Sequence, residues 1–74
     1  MNEDIMEKLA EIFEVDTVAM EDVLRDFENW DSLAALSIIA MCDSTYGFTL
    51  PSTELRTIKT VGALVDVIVA RKTK

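Results

Sequence analysis

The apolar positions of this chain fall into three helical stripes separated by less regular stretches. Ile5, Leu9, Ile12 and Phe13 recur at i, i+4, i+7 and i+8, with Met6 alongside, and predict an amphipathic helix over residues 3–14. Its polar face carries Glu3, Glu7, Glu11 and Glu14, and Asn2 or Asp4 can cap its start. Over 15–31 the period is lost. Val18, Met20, Val23, Leu24, Phe27 and Trp30 are scattered among acids, as in a long loop that drops apolar side chains onto a core. A short helical turn fits around 20–24, with Thr17 as a weak cap, and Trp30 is expected to pack on the helices and fix the loop's end.

A second stripe, Ala35, Ile38, Ile39, Cys42 and Tyr46, predicts a helix over 32–46 that ends at Gly47, a residue suited to the left-handed C-terminal position. Leu33, Leu36, Ala40 and Met41 are also apolar and lie largely on its other faces, and Asp43 is its only charge. A helix apolar nearly all round is buried on more than one side or offers an apolar surface to a partner. Phe48, Leu50 and Pro51 then form a connector, and 52–58 is long enough for one or two turns with Ser52 as cap. Thr60 caps a last helix over 61–71, with Val61, Leu64, Val65, Ile68 and Val69 as its stripe and Arg71, Lys72 and Lys74 at its negative end. Its valines would also suit a strand, but the i, i+3, i+4, i+7 spacing and the cap favour a helix. The expected fold is all-α, a small antiparallel bundle of three main helices plus one short helix, built as a single domain over 1–74.

Composition narrows the function. Seventy-four residues bury only about 60% of the surface the unfolded chain exposes, so the core is thin. The net charge is −7, and it is unevenly placed: residues 1–31 hold eleven acids against Lys8 and Arg25, whereas 32–74 hold three acids against five bases. Phosphate backbones would repel such a surface, which argues against nucleic acid as a partner, while a basic protein would be steered to the acidic half. The acids also simply keep a small apolar protein soluble. One cysteine forms no internal bridge, the acidic start lacks the features of a signal peptide, and the longest apolar run is too short to span a bilayer. A cytoplasmic monomer is expected, and Met1 with the basic end at Arg71–Lys74 fits a free-standing protein.

Catalytic chemistry finds little support. With no histidine, histidine-based triads and histidine metal sites are excluded. Cys42 lies mid-helix on the expected core stripe, as an inert small hydrophobe. The acids lack calcium-loop spacing, and Gly47 and Gly62 make no phosphate-cradling pattern, so neither an enzyme nor a metal site is expected. Ser32 is the residue with a choice of roles. It stands behind Asp31 at the start of the second helix, where either residue could serve as cap. Three residues on stands Ala35, so a reciprocal capping box from Ser32 is absent. Alternatively its hydroxyl is exposed at the positive end of the helix, where an added phosphodiester is electrostatically welcome.

The wider pattern decides between these roles. Asp31-Ser32-Leu33, Tyr46-Gly47-Phe48, Pro51, Ile58 and Thr60-Val61 occur in order between a first helix and a fourth, and this ordered set resembles the acyl carrier proteins. Gly-Gly-x-Ser, typical of peptidyl carriers, is absent. The resemblance implies that a phosphopantetheinyl transferase, using coenzyme A and magnesium, joins 4′-phosphopantetheine covalently to Ser32. The arm's thiol then holds acyl groups as thioesters while the carrier visits acyl-activating, condensing or acyl-transfer enzymes. Two departures bear on the pathway. Glu28-Asn29-Trp30 precedes Asp31 where members of fatty-acid synthesis commonly have Leu-Gly-x, and Ala34, Ala35 and Ser37 stand where they often carry acids. Docking is therefore expected to rest on Leu33, Leu36, Ala40 and Met41, aided by Asp26, Glu28, Asp31 and Glu54, in a specialised fatty-acid, polyketide or related pathway. The competing expectations are a non-enzymatic helical interaction module, with Ser32 only a cap, and an aminoacyl or peptidyl carrier variant.

Overall fold

A computed structural model describes residues 2–73. The chain forms α1 (Asn2–Phe13), α2 (Ser32–Ser44), a four-residue α3 (Ser52–Leu55) and α4 (Val61–Arg71), with a 3-10 turn at Leu24–Asp26 inside the long loop. The only extended pairing among the described residues is an isolated bridge between Val23 and Thr60. The all-helical expectation holds, and the strand alternative for the last segment falls. α1 packs against both α2 and α4, and α3 against α2.

The core follows from the stripes, with three adjustments. Ile5, Leu9 and Phe13 of α1 meet Ile38 and Cys42 of α2, Val61, Leu64, Val65 and Ile68 of α4, and the connecting Leu24, Leu50, Leu55 and Ile58 in one buried cluster. On α2 the inward face is turned from the expected one: Ala34, Ile38, Met41 and Cys42 are buried, whereas Ala35 and Ile39 are only half-buried. These inward residues lie at i, i+4, i+7 and i+8, so one continuous stripe meets the rest of the bundle. On α4, Val69 points outward at 42% exposure. On α1, the helix already includes Asn2, which puts Asp4 in its first turn rather than at the cap; the residue before it lies outside the described residues.

The long loop is organised by α4, which explains why its turn sits later than periodicity suggested. A helix leaves its first N–H groups without intrahelical acceptors. At α4 all of these donors are satisfied: Val61 N–H donates to the Asp22 carbonyl at 2.9 Å and Gly62 N–H to that of Met20 at 2.8 Å. Ala63 N–H donates to Thr60 Oγ1 at 3.1 Å, and Leu64 N–H to the Thr60 carbonyl. The return bond from Leu24 N–H to the Lys59 carbonyl completes the join, and Ala19 N–H donates to the Asp22 carboxylate. The turn therefore forms at Leu24–Asp26, just past these contacts, and Val23 rather than Thr17 precedes it. Gly62 permits this close approach: a Cβ at that position would lie 3.0 Å from the Met20 carbonyl oxygen.

The helix ends use the backbone in two ways. α1 closes with Val15 N–H on the Ala10 carbonyl and Glu14 N–H on that of Glu11, which places Glu14 at φ 57°. α2 ends at Ser44, two residues short of the expected 46, and Gly47 at φ 74° turns the chain just beyond it, its N–H donating to the Asp43 carbonyl at 3.2 Å. Thr73 then ties the far end of the chain to this exit, donating from N–H to the Tyr46 carbonyl at 2.7 Å and from Oγ1 to the Gly47 carbonyl at 2.9 Å. α3 starts one residue differently from expectation: Pro51 occupies the cap position and Ser52 is the first helical residue, so Ser52 does not cap.

Candidate functional site

The segment before α2 is fixed to α1 from its apolar side. Phe27 stacks on Phe13 with ring centroids 4.3 Å apart and planes 2° apart, and Trp30 meets the same ring at 6.0 Å. Asn29 Nδ2 donates to the Phe13 carbonyl at 3.2 Å, an otherwise free acceptor at the end of α1. Phe27, Asn29 and Trp30 thus clamp the loop end to α1 and set where α2 begins.

Asp31, not Ser32, is the cap of α2. It is extended, its Oδ1 accepts from Ala34 N–H at 2.9 Å, and its carbonyl accepts from Ala35 N–H at 3.0 Å. Ser32 is consequently the first helical residue, exposed, with a hydroxyl that makes no hydrogen bond among the described residues. The N–H groups of Ser32 and Leu33 likewise take no protein acceptor among the described residues, so the positive end of the helix is open to an anion.

Beside Ser32 lies an open groove of about 590 Å³. Trp30, Leu36, Ile39 and Leu55 give it apolar walls, and Arg25 and Arg56 stand at its rim. Arg25 Nη2 donates to the Arg56 carbonyl at 2.8 Å, and its guanidinium sits 5.8 Å from the centre of the Trp30 ring. The two arginines were not among the residues expected from sequence. The available signal is that Arg25 is the only base between Lys8 and Arg56.

Of the residues expected to meet partners, Leu33, Leu36 and Ala40 share the outward stripe of α2, with Leu33 72% and Leu36 60% exposed. Glu28 and Asp31 are exposed at its N-terminal edge. One expectation needs correction, and one residue is tied within the chain. Met41 is 9% exposed and belongs to the inward stripe with Ala34 and Ile38, so it is a core residue. Glu54 is held by Arg71, whose Nη1 donates to Oε1 at 2.7 Å and whose Nη2 meets Oε2, so its carboxylate is already partnered within the chain. Cys42 is buried as expected, and burial pushes its thiol up to about 11, well away from a nucleophilic thiolate at neutral pH.

The chain matches the family described as "Phosphopantetheine attachment site" over residues 3–68. It is 29% identical to the acyl carrier proteins of Tropheryma whipplei strains Twist and TW08/27, in alignments of 76 residues that cover 95% of this chain and 93% of each relative. No solved structure matches it. The chain belongs to the phosphopantetheine-attachment family. Its cofactor is covalently attached 4′-phosphopantetheine, and proteins of this kind carry substrates between enzymes rather than transform them. No helix among the described residues is long and apolar enough to cross a membrane. The residues at the start of α2 fit such a group, since they offer a free hydroxyl, a positive helix end and an apolar groove alongside.

Proposed function

We propose that this member of the phosphopantetheine-attachment family carries acyl intermediates on an arm joined to Ser32, as a single carrier domain in a specialised fatty-acid, polyketide or related pathway. The observation that carries the reading is the division of labour at the start of α2. Asp31 does the capping, which leaves the Ser32 hydroxyl exposed and unbonded at the positive end of the helix. When bound, the arm supplies a terminal thiol on which an acyl group is held as a thioester.

The chain's own residues supply position and recognition. Asp31 fixes the first turn, so Ser32 Oγ faces outward where a transferase can reach it. The unpartnered N–H groups of Ser32 and Leu33 favour the negative charge of a phosphodiester. Leu33, Leu36 and Ala40 form an apolar contact for partner enzymes, with Glu28 and Asp31 at its edge. On this helix no acid precedes Asp43, which supports a dedicated partner with an apolar docking surface over one steered mainly by acids.

The test is intact mass after incubation with coenzyme A, magnesium and a broad-specificity phosphopantetheinyl transferase. Wild type and Ser52→Ala are expected to gain one phosphopantetheine, and Ser32→Ala none. Folded wild type that gains nothing from several transferases would overturn the reading. The exposed leucines would then point to a helical interaction module, in which Leu36→Asp abolishes binding to its partner.

A further inference from the structure

We infer that Arg25 and Arg56 hold the phosphodiester of the arm, so that the arm leaves Ser32 through the groove rather than straight into solvent. The inference rests on the reading of Ser32 as the attachment site, and it assigns two residues that the sequence pattern does not single out. Ser32, Arg25 and Arg56 line one groove. A phosphodiester on Ser32 Oγ is one bond from that oxygen, so its charge enters the space the two guanidinium groups border.

Charge makes the same point. The first thirty-one residues carry a large excess of acid, yet Arg25, one of only two bases there, is at the groove beside Ser32. Neither Arg25 nor Arg56 forms an ion pair with a carboxylate among the described residues, while Arg71 does. Asp31 is the one acid lining the groove, and its Oδ1 is engaged by Ala34 N–H. A new negative charge beside Asp31 needs compensation, and two unpaired guanidinium groups provide it.

Arg25 has a structural role as well. Its bond to the Arg56 carbonyl and its place over Trp30 join the long loop to the end of α3. That bond uses one of five N–H donors and fixes the guanidinium at the rim with the others available. The Arg56 side chain makes no hydrogen bond among the described residues, so its charge is uncommitted. Arg56→Gln is therefore the clean variant, since it removes the charge without removing a contact that holds the fold.

The experiment is phosphorus NMR of the loaded protein, with loading confirmed by mass, for wild type, Arg56→Gln and Arg25→Gln. Each is measured in low salt and in about 1 M salt, where the screening length falls to about 3 Å. In low salt the wild-type resonance is expected to sit away from that of free phosphopantetheine diester and to move toward it as salt rises. Both variants are expected to sit near the free position throughout, with Arg56→Gln keeping wild-type thermal stability before loading. A loaded wild type whose resonance matches Arg56→Gln at every salt concentration would overturn this inference alone. A folded chain that never takes up the group at Ser32 would overturn the site reading and this inference together.

Discussion

α2 and α4 begin with the same local device and end up serving opposite purposes. In each, an extended residue places a side-chain oxygen on the N–H three positions on: Asp31 on Ala34 at 2.9 Å, and Thr60 on Ala63 at 3.1 Å. At α4 the long loop folds over the remaining donors, and the carbonyls of Asp22 and Met20 take the N–H groups of Val61 and Gly62. At α2 the equivalent donors belong to Ser32 and Leu33, and no described protein group covers them. One helix start is closed and holds the fold together; the other is open and available to a ligand. The difference lies in what the tertiary structure brings up to each end, and the caps themselves are alike.

The largest expected effect on stability comes from forcing the closed end apart. Gly62→Ala puts a Cβ 3.0 Å from the Met20 carbonyl oxygen, and both groups are backbone-fixed. Alanine is the better helix former by about 1 kcal/mol, yet overpacking of this kind typically costs about 1–3 kcal/mol. Net destabilisation is expected, with loading of the unheated protein unchanged; urea unfolding and intact mass would check the two halves. A Gly62→Ala protein as stable as wild type would show that the loop yields at Met20 and admits the methyl group. At the open end, Ser32→Ala breaks no hydrogen bond and is expected to change stability by less than about 0.5 kcal/mol while abolishing loading.

The caps should be energetically equivalent and functionally unequal. Thr60→Ala and Asp31→Ala are each expected to lower stability by about 1 kcal/mol. Only Asp31→Ala frays the turn that presents Ser32, so only it is expected to reduce the transferase's kcat/KM. Equal loading by both variants would mean that presentation of Ser32 does not depend on its cap.

The local half of this comparison is legible in the residues alone. Thr60 as cap, Gly47 as the exit of α2, Trp30 as a loop anchor and Asp31-Ser32 as a helix start are all set by residues within a few positions of one another. What was hidden depends on partners far along the chain. The turn lies at Leu24–Asp26 because loop carbonyls meet α4 some forty positions away. The burial of Met41 and the pairing of Glu54 were hidden for similar reasons. On a helix apolar all round, periodicity does not say which stripe turns inward, and the packing of the bundle selects Met41. Glu54 is engaged by Arg71, seventeen residues on, which no short spacing announces. Arg25 and Arg56 reach one groove only because the loop and α3 lie side by side.

The sharpest contrast is expected at the second helical position of each element. At α4 that position is Gly62, where a Cβ would stand 3.0 Å from a backbone carbonyl; at α2 it is Leu33, 72% exposed. Leu33→Glu loses little burial and sets an acid at the positive end of a helix whose first turn has none, a change worth about 0.3–1 kcal/mol in favour of the fold. If Leu33 is part of the surface that partner enzymes grip, the same substitution should raise the transferase's KM by roughly fivefold or more, the cost of losing an apolar contact that matters. Stability and recognition would then move in opposite directions from one side chain, as expected of a residue kept apolar for its partner and not for the core. An unchanged KM would instead move the docking surface down the stripe, toward Leu36 and Ala40.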